Sequence, residues 1–288
     1  MEPFEPKLIL VPTDFSEPAA HALRYASALG ERFGAHLLVI HADHFAPPMD
    51  FAAGAFDYSR DAMIESAREA LQAHAEENIG ADVPFDVRII VGGALDAIAS
   101  QVRESGANLV VMGTHGRTGV SRLLFGSVTE SVMRTCTAPV IAVTPGAPES
   151  AHVEKVLCPI TFTEASREAL RRAAALVDSR RAPLVLVQLM NDDPLRVQQW
   201  LPRELVDRCE LKRRSAGDAE EIVSLAARAG ADLIALGVEP DRTVHETLLG
   251  TFAERIVQQS RCAVLTMNSR AVSRRSAMEP TDVVASGC

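Results

Sequence analysis

The sequence contains two copies of one pattern, and this duplication constrains the fold more than any other feature. The segment VPTDFSEPAAHALRYA, which begins at Val11, matches CPITFTEASREALRRA, which begins at Cys158, at an offset of 147 residues. A longer segment that begins at Ile98 matches one that begins at Ile222, without a gap, at an offset of 124 residues. The chain of 288 residues is therefore a tandem duplication whose second copy is 23 residues shorter between the matched segments.

Each copy alternates short apolar runs with stretches of helical periodicity. Five runs in the first copy predict strands, namely KLILVPT, HLLVIHA, FDVRIIV, NLVVMG and PVIAVT. Five runs in the second copy do the same, namely KVLCPIT, PLVLVQL, RCELKR, DLIALG and AVLTM. Helices are predicted at residues 17–33, 58–79, 95–104 and 127–135, and the second copy has only the short segment 190–204 in place of the long second helix. Strands separated by helices imply a parallel sheet that is covered on both faces.

The composition changes between the two copies and again after the second one. Residues 145–152 are rich in Pro, Gly, Ala and Ser, which is typical of a linker. The residues that follow the last apolar run have no apolar periodicity. We therefore expect a first domain at residues 1–147, a second domain at residues 148–269 and a disordered tail at residues 270–288.

Charge and composition exclude several classes of function. The first 150 residues carry 10 Lys and Arg against 19 Asp and Glu, so the net charge of −9 lies entirely in the first copy. A nucleic-acid-binding surface would be basic, and a membrane span would need an apolar run of roughly 18–20 residues, which is absent. The N-terminal segment lacks the basic start of an export signal, and the five cysteines form no CxxC pair. We expect a cytoplasmic protein with reduced thiols and with neither a membrane nor a nucleic-acid partner.

Chemically distinctive residues follow the first and fourth predicted strands of the first copy. Pro12, Thr13 and Asp14 come at the end of the first strand, Gly113 begins the segment GTHGR after the fourth, and Gly126 opens a helix. In an open parallel sheet, ligands bind outside the carboxyl ends of the strands, where the strand order reverses. Glycines let backbone amides converge on an anion, and a helix N-terminus adds roughly half a positive charge. An acidic side chain can accept hydrogen bonds from ribose hydroxyls. The pattern predicts a nucleotide site.

Other interpretations of the same residues stay open. Asp14 could cap the helix that follows it, and Gly113 and Gly126 could serve only in turns. A zinc site at His41 and His44 is disfavoured because no carboxylate or cysteine stands at ligand spacing. Neither a GxxxxGK[ST] loop nor a GxGxxG motif after the first strand is present, which disfavours P-loop NTPases and dinucleotide dehydrogenases. No set of nucleophile, base and orienting residue indicates a catalytic triad.

The glycine spacing of the first copy resembles a family signature. Gly113-x2-Gly116-x9-Gly126-Ser127 is similar to the ATP-binding signature G-x2-G-x9-G-[ST] of the universal stress protein family. The resemblance covers both copies up to Met267. It implies two tandem flavodoxin-like or Rossmann-like αβ sandwich domains, each with a five-stranded parallel sheet, and an adenine nucleotide as ligand.

The resemblance also implies roles for residues of the first copy. Asp14 would hold the ribose, the backbone at Ala42 would meet the adenine, and the glycine loop with the start of the following helix would line the phosphates. Arg117 is a phosphate partner on charge grounds alone. The candidate ATP-binding residues are Pro12, Thr13, Asp14, Ala42, Gly113, Gly116, Arg117, Gly126, Ser127 and Val128. We expect Mg²⁺ to be held mainly by the phosphates and predict neither catalytic residues nor a metal site made by the protein.

The second copy departs from the signature. Gly237 and Gly250 persist, but Thr161 stands where the first copy has Asp14, and Pro240 stands where it has Gly116. Proline removes a backbone donor and fixes the backbone angle φ. We therefore predict one ATP per chain, bound by the first copy.

The last strands of the two copies are predicted to pair. Single-domain members of the family commonly pair through these strands, and a tandem chain can make the same pair within itself. PVIAVT and AVLTM are apolar, and leaving both edges open would invite aggregation. We expect the two strands to run antiparallel across a pseudo-two-fold axis, as an intramolecular pseudo-dimer; a homodimer of the whole chain stays open.

Three functions follow as hypotheses. The first is a cytoplasmic ATP-binding stress-response protein, not an efficient enzyme, that acts as a nucleotide-dependent regulator or chaperone-like partner of an unidentified protein. The second is a slow ATPase or a phosphoryl or nucleotidyl transferase. The third is a scaffold that binds no nucleotide. The release of ADP or AMP separates the first two, and nucleotide binding separates both from the third.

Overall fold

The computed structural model describes residues 4–44, 56–115, 126–177, 184–188, 194–213, 218–238 and 252–269. The elements of the first copy are β1 (Leu8–Pro12), α1 (Glu17–Phe33), β2 (His36–Asp43), α2 (Phe56–Asn78), β3 (Phe85–Val91), α3 (Ala94–Ser105), β4 (Leu109–Gly113), α4 (Ser127–Thr135) and β5 (Val140–Val143). The elements of the second copy are β6 (Val156–Ile160), α5 (Glu164–Ala175), β7 (Leu184–Gln188), α6 (Pro194–Trp200), a 3₁₀ helix (Arg203–Arg208), β8 (Cys209–Arg213), α7 (Ala219–Ala229), β9 (Leu233–Val238), α8 (Phe252–Gln259) and β10 (Ala263–Asn268).

These bounds confirm the ten predicted strands and the predicted helices of the first copy. Helix α1 begins after Ser16, whose side chain accepts a hydrogen bond from the Ala19 amide, and α3 ends at Gly106, whose φ of +72° is left-handed. The second copy replaces the 23-residue α2 with the seven-residue α6 and the short 3₁₀ helix. This replacement accounts for 10 of the 23 residues by which the second copy is shorter. The tail predicted after residue 269 lies outside the described residues.

All ten strands form one sheet in the order β3-β2-β1-β4-β5-β10-β9-β6-β7-β8. Within each copy the neighbouring strands are parallel, and each copy has the same order with β1 or β6 at its centre. The two halves join through β5 and β10, which pair antiparallel with Ile141 opposite Leu265. Every residue of both strands is buried. The predicted pairing of the last strands is confirmed.

Reciprocal side-chain hydrogen bonds cross this seam. The hydroxyl of Thr144, just after β5, donates to the Cys262 carbonyl at 3.2 Å. Asn268, at the equivalent position of the second copy, donates from its amide to the Cys136 carbonyl at the end of α4. Each copy therefore satisfies a buried backbone carbonyl of the other, although the two acceptors are not at equivalent positions, since Cys262 corresponds to Ala138.

The core has two apolar layers, one on each face of the sheet. Ile9 and Val11 of β1 point into one layer, and Leu10 points into the other. At the seam, Ile141 and Leu265 belong to the first layer, so that layer is continuous between the copies. Strands that are buried on both faces need apolar residues at successive positions, which explains the unbroken apolar runs in the sequence.

A second contact joins the N-terminal segment to the second copy. Arg172 of α5 is 8% exposed, and its guanidinium lies 2.6 Å from a carboxylate oxygen of Glu168 and 4.4 Å from the ring centroid of Phe4. Adjacent arginines are typical of a solvated helix face, but Arg172 is buried. Burial is tolerated because the charge is paired and stacked on a ring. Of the described helices, none is both long and apolar enough to cross a bilayer.

Candidate functional site

The sheet order reverses between β1 and β4, which are neighbours with Ile9 opposite Leu109. The chain leaves both strands at the same edge of the sheet, so residues 13–16 and residues 113–115 emerge side by side. The hydroxyl of Thr129 in α4 donates to the Gly113 carbonyl at 2.8 Å, which ties the start of α4 to the end of β4. The structure therefore brings together the two segments that the sequence pattern singled out.

The loop after β1 holds Asp14 in a fixed orientation. One carboxylate oxygen, Oδ1 of Asp14, accepts hydrogen bonds from the Ser16 amide at 3.1 Å and from the Ser16 hydroxyl at 2.5 Å. The Ser16 hydroxyl oxygen in turn accepts from the Ala19 amide at 3.4 Å, so Ser16 and not Asp14 caps α1. The Asp14 carboxylate is thus oriented by the turn and is not consumed as a helix cap.

Phe15 has a backbone conformation that is unusual for an aromatic residue. Its φ of +65° lies in the left-handed region, where a side chain causes strain. Its ring lies beside two imidazoles, with centroids 4.6 Å from His41 and 5.3 Å from His74. His41 is buried, and its imidazole donates a hydrogen bond to the Thr13 carbonyl. No motif in the sequence singled out His74, which lies on α2.

The sheet and α1 approach each other closely at Gly113. A Cβ at this position would lie 2.6 Å from the carbonyl oxygen of Pro18, in the first turn of α1. At the equivalent Gly237, a Cβ would lie 2.2 Å from the amide nitrogen of Ser166, in the first turn of α5. Both copies keep a glycine here because helix and strand pack backbone to backbone. The retention of Gly237 is therefore explained without any ligand.

The start of α4 offers backbone donors at the same edge of the sheet. The Gly126 amide donates to the Thr114 carbonyl at 2.9 Å, so it is already engaged within the loop. The amides of Ser127 and Val128 come next, in the first turn, where amides have no acceptor within their own helix. Both residues are exposed, and a helix N-terminus attracts anions. The first turn of α4 thus presents exposed backbone amides of the kind that could receive an anion.

The other predicted residues divide into two groups. Ala42 is half-buried near the carboxyl end of β2, and Pro12 closes β1, so both lie at the same edge of the sheet. Gly116 and Arg117 lie outside the described residues, and their predicted roles stay predictions. Within the part of the chain that the structure describes, no three His, Cys, Asp or Glu side chains form a group that could hold a metal ion.

Comparison with known proteins assigns the family. The model of the universal stress protein family matches residues 6–144 of the first copy and residues 202–267 of the second. The chain belongs to the universal stress protein family. Two universal stress proteins of Methanocaldococcus jannaschii are 29% and 30% identical to it over 138 and 154 residues, in each case 48% of this chain and 81% and 94% of the relative.

Solved structures agree with the tandem architecture. A universal stress protein of Archaeoglobus fulgidus superposes with a TM-score of 0.73 at 21% identity, over 92% of this chain and 97% of that one. A second structure, described as a putative universal stress protein of Pseudomonas aeruginosa, gives a TM-score of 0.58 at 14% identity over 94% and 97% of the two chains. At these identities the likeness concerns the fold alone. The predicted family and the predicted two-domain α/β fold are both confirmed.

The second universal stress domain differs at the equivalent edge. Phe162 has a left-handed φ of +56°, like its counterpart Phe15. Its ring contacts Trp200 at a centroid distance of 5.9 Å and the Arg196 guanidinium at 4.3 Å. Thr161 places an uncharged hydroxyl where the first domain has the oriented carboxylate. The two universal stress domains therefore share a backbone frame and differ in the chemistry of the groups that it presents.

Proposed function

We propose that this universal stress protein binds one ATP per chain in its first domain and acts in the cytoplasm as a nucleotide-dependent regulator or chaperone-like partner. Membership of the family supports a role in the stress response. The observation that carries the ATP proposal is the pairing of two complementary groups at one edge of the sheet. The oriented Asp14 carboxylate lies at the end of β1, and the exposed first turn of α4 follows the adjacent β4.

These groups suit the two ends of a nucleotide. A carboxylate whose orientation is fixed by a turn can accept hydrogen bonds from ribose hydroxyls. A hydrogen bond to an ionised carboxylate is about twice as strong as one between two neutral groups. The amides of Ser127 and Val128, with the positive end of the α4 dipole, would receive phosphate oxygens. In this proposal Ala42 contacts the adenine and Gly116 and Arg117 complete the phosphate loop. Mg²⁺ would be bound mainly by the phosphates, because it retains waters and prefers phosphate oxygens.

The asymmetry between the domains supports a stoichiometry of one. Thr161 cannot supply the charge of Asp14, and Pro240 cannot supply the amide of Gly116. The second domain would then serve as the structural partner of the first, through the β5–β10 seam.

A thermal-shift experiment on the full chain tests the proposal. At an ATP concentration of 100 times Kd, a ligand that binds only the native state stabilises it by about 2.7 kcal/mol, or roughly 5–10 °C in Tm. Asp14→Asn keeps the acceptor of the turn but removes the charge, and it should weaken ATP binding at least about tenfold. Thr161→Val is the matched control and should keep the wild-type shift.

The results separate the three hypotheses. A wild-type chain that neither carries nor binds adenine nucleotide would favour the scaffold. Release of ADP or AMP at more than about 1 per second would favour an enzyme in the ordinary kinase range. Titration with cAMP belongs in the same series because a related universal stress protein, 23% identical, has been crystallised in complex with cAMP. An unchanged ATP shift in Asp14→Asn would remove Asp14 from the site.

A further inference from the structure

Two histidines enclose the loop that carries Asp14, and the nucleotide proposal gives neither a role. His41 lies near the end of β2, and His74 lies on α2. Both imidazoles contact the ring of Phe15, at 4.6 Å with an angle of 54° between the planes and at 5.3 Å with an angle of 67°. Phe15 follows Asp14 directly, so the two rings restrain the residue on which the orientation of the carboxylate depends.

Hydrogen bonds connect the same histidines to the backbone beside Asp14. The Thr13 amide donates to the Ile40 carbonyl at 2.9 Å, which fixes the loop to β2. The Nδ1 atom of His41 lies 2.9 Å from the Thr13 carbonyl and must donate, because a carbonyl can only accept. Thr13 is therefore held at both its amide and its carbonyl.

The Thr13 hydroxyl extends the chain of hydrogen bonds to His74. Its oxygen accepts from the Phe15 amide at 3.1 Å, and it lies 3.3 Å from Nε2 of His74. Because the oxygen already accepts from an amide, its proton is available for a neutral imidazole nitrogen. The resulting order is Phe15 amide to Thr13 hydroxyl to His74. This order holds for the neutral tautomer of His74 that carries its proton on Nδ1, and it satisfies the buried hydroxyl beside the strained Phe15 backbone.

The second domain shows which of these groups belong to the backbone frame and which do not. Phe162 keeps the left-handed φ, so the strained aromatic residue is common to both domains. Leu37 of β2 pairs with Ile9 of β1, and Leu184 of β7 pairs with the equivalent Val156 of β6. His41 lies four residues after Leu37, and Gln188 lies four residues after Leu184, so Gln188 occupies the strand position of His41. His41 is thus found with Asp14, and Gln188 stands in its place where Thr161 stands in place of Asp14.

Charges from three elements face His74. Burial lowers the pKa of His74 below its usual value of about 6.5. Glu77 of the same helix raises this pKa, Arg24 of α1 lowers it, and Asp14 and Glu17 raise it. His74 is consequently neutral at neutral pH and gains a proton on acidification. The proton would convert Nε2 from an acceptor into a donor, so the Thr13 hydroxyl could no longer donate to it and its oxygen would face donors from both His74 and the Phe15 amide.

We infer that His41 and His74 are positioning residues that set the orientation of the Asp14 carboxylate toward a nucleotide, and that His74 makes nucleotide binding sensitive to pH. The inference rests on the proposed ATP site. Neither histidine touches the nucleotide; both act through Thr13 and Phe15. Protonated His74 would compete with the Phe15 amide for the Thr13 oxygen and leave the hydroxyl proton without this acceptor, which loosens the turn, so ATP affinity falls as the pH falls.

Calorimetric titration of ATP into the full chain between pH 5 and pH 8 tests the inference. His74→Gln presents an amide oxygen that can accept from Thr13 at every pH and does not titrate. Protonation of ATP itself affects all variants alike, so the ratio of wild-type Kd to His74→Gln Kd isolates the histidine. This ratio should rise by about tenfold on acidification, the effect expected from loss of one buried hydrogen bond. His36→Gln changes a histidine at the other end of β2 and should follow the wild type.

Variants of Thr13 keep the test decisive if His74→Gln does not fold. Thr13→Ser retains the hydroxyl and should keep the wild-type pH profile, whereas Thr13→Ala should weaken ATP binding at pH 7.5 and flatten the profile. ATP binding with the same pH profile in wild type, His74→Gln and Thr13→Ala would overturn the positioning role and leave the proposed function standing. Failure of the wild type to bind ATP at any pH would overturn both.

Discussion

Alanine at Gly113 or Gly237 should destabilise the protein in the absence of any nucleotide. The added Cβ of Gly113→Ala would lie 2.6 Å from the Pro18 oxygen and 2.9 Å from the Pro18 carbonyl carbon. These are backbone atoms in the first turn of α1, whose apolar face is buried, so they cannot rotate away as a side chain would. Relief requires the strand and the helix to separate by several tenths of an ångström.

The expected cost is that of overpacking a well-packed core, about 1–3 kcal/mol, or roughly 3–10 °C in Tm. Gly237→Ala should cost at least as much, because its Cβ would lie 2.2 Å from the Ser166 nitrogen. Urea denaturation of the nucleotide-free chain measures both effects. Gly80→Ala is the matched control, since its Cβ would meet the Ser27 hydroxyl oxygen at an ordinary 3.6 Å. A loss below about 0.5 kcal/mol in both variants would refute close backbone packing as the reason for these glycines.

Three further predictions concern the contacts between the domains. Burial and the charge of Glu254 raise the pKa of Glu130, so the folded state loses stability as the pH rises through that pKa. Glu130→Gln should therefore stabilise the chain at pH 8 more than at pH 4. Equal changes in the free energy of unfolding at the two pH values would contradict this. Phe4→Leu removes the ring on which Arg172 is stacked and should lower the free energy of unfolding by about 1 kcal/mol in urea denaturation. An unchanged free energy of unfolding would show that the contact does not stabilise the fold. Residues 1–147 expressed alone expose the edge of β5 and should dimerise or precipitate, so a stable monomer in light scattering would argue against the seam as an aggregation-prone edge.

The fold could be predicted from the sequence because its strongest signals are local and repeated. Strands buried on both faces require consecutive apolar residues, so LILVP and VIAV are visible without any tertiary information. The duplication then implied that one edge strand had a partner within the chain. The resemblance to the family implied that β5 and β10 pair, and the need to cover two apolar edges supported an antiparallel pair.

The environment of the candidate site could be predicted only in part. The left-handed φ of Phe15 has no sequence signal, because that region favours Gly, Asn and Asp. His74 lies 61 residues from Thr13 in the chain, and only the packing of α2 brings the two together. The spacing of Gly113 likewise could not separate a phosphate loop from close helix packing, since both need a residue without a Cβ. Long-range packing decides these features, and a motif does not record it.

Isothermal titration calorimetry of MgATP into the full-length chain tests the central claim most directly. The wild type should bind one equivalent. Gly116→Pro, which gives the first domain the proline of the second, should bind none while unfolding at the same Tm as the nucleotide-free wild type. Two equivalents in the wild type, or one equivalent retained in Gly116→Pro, would contradict a single nucleotide site in the first domain.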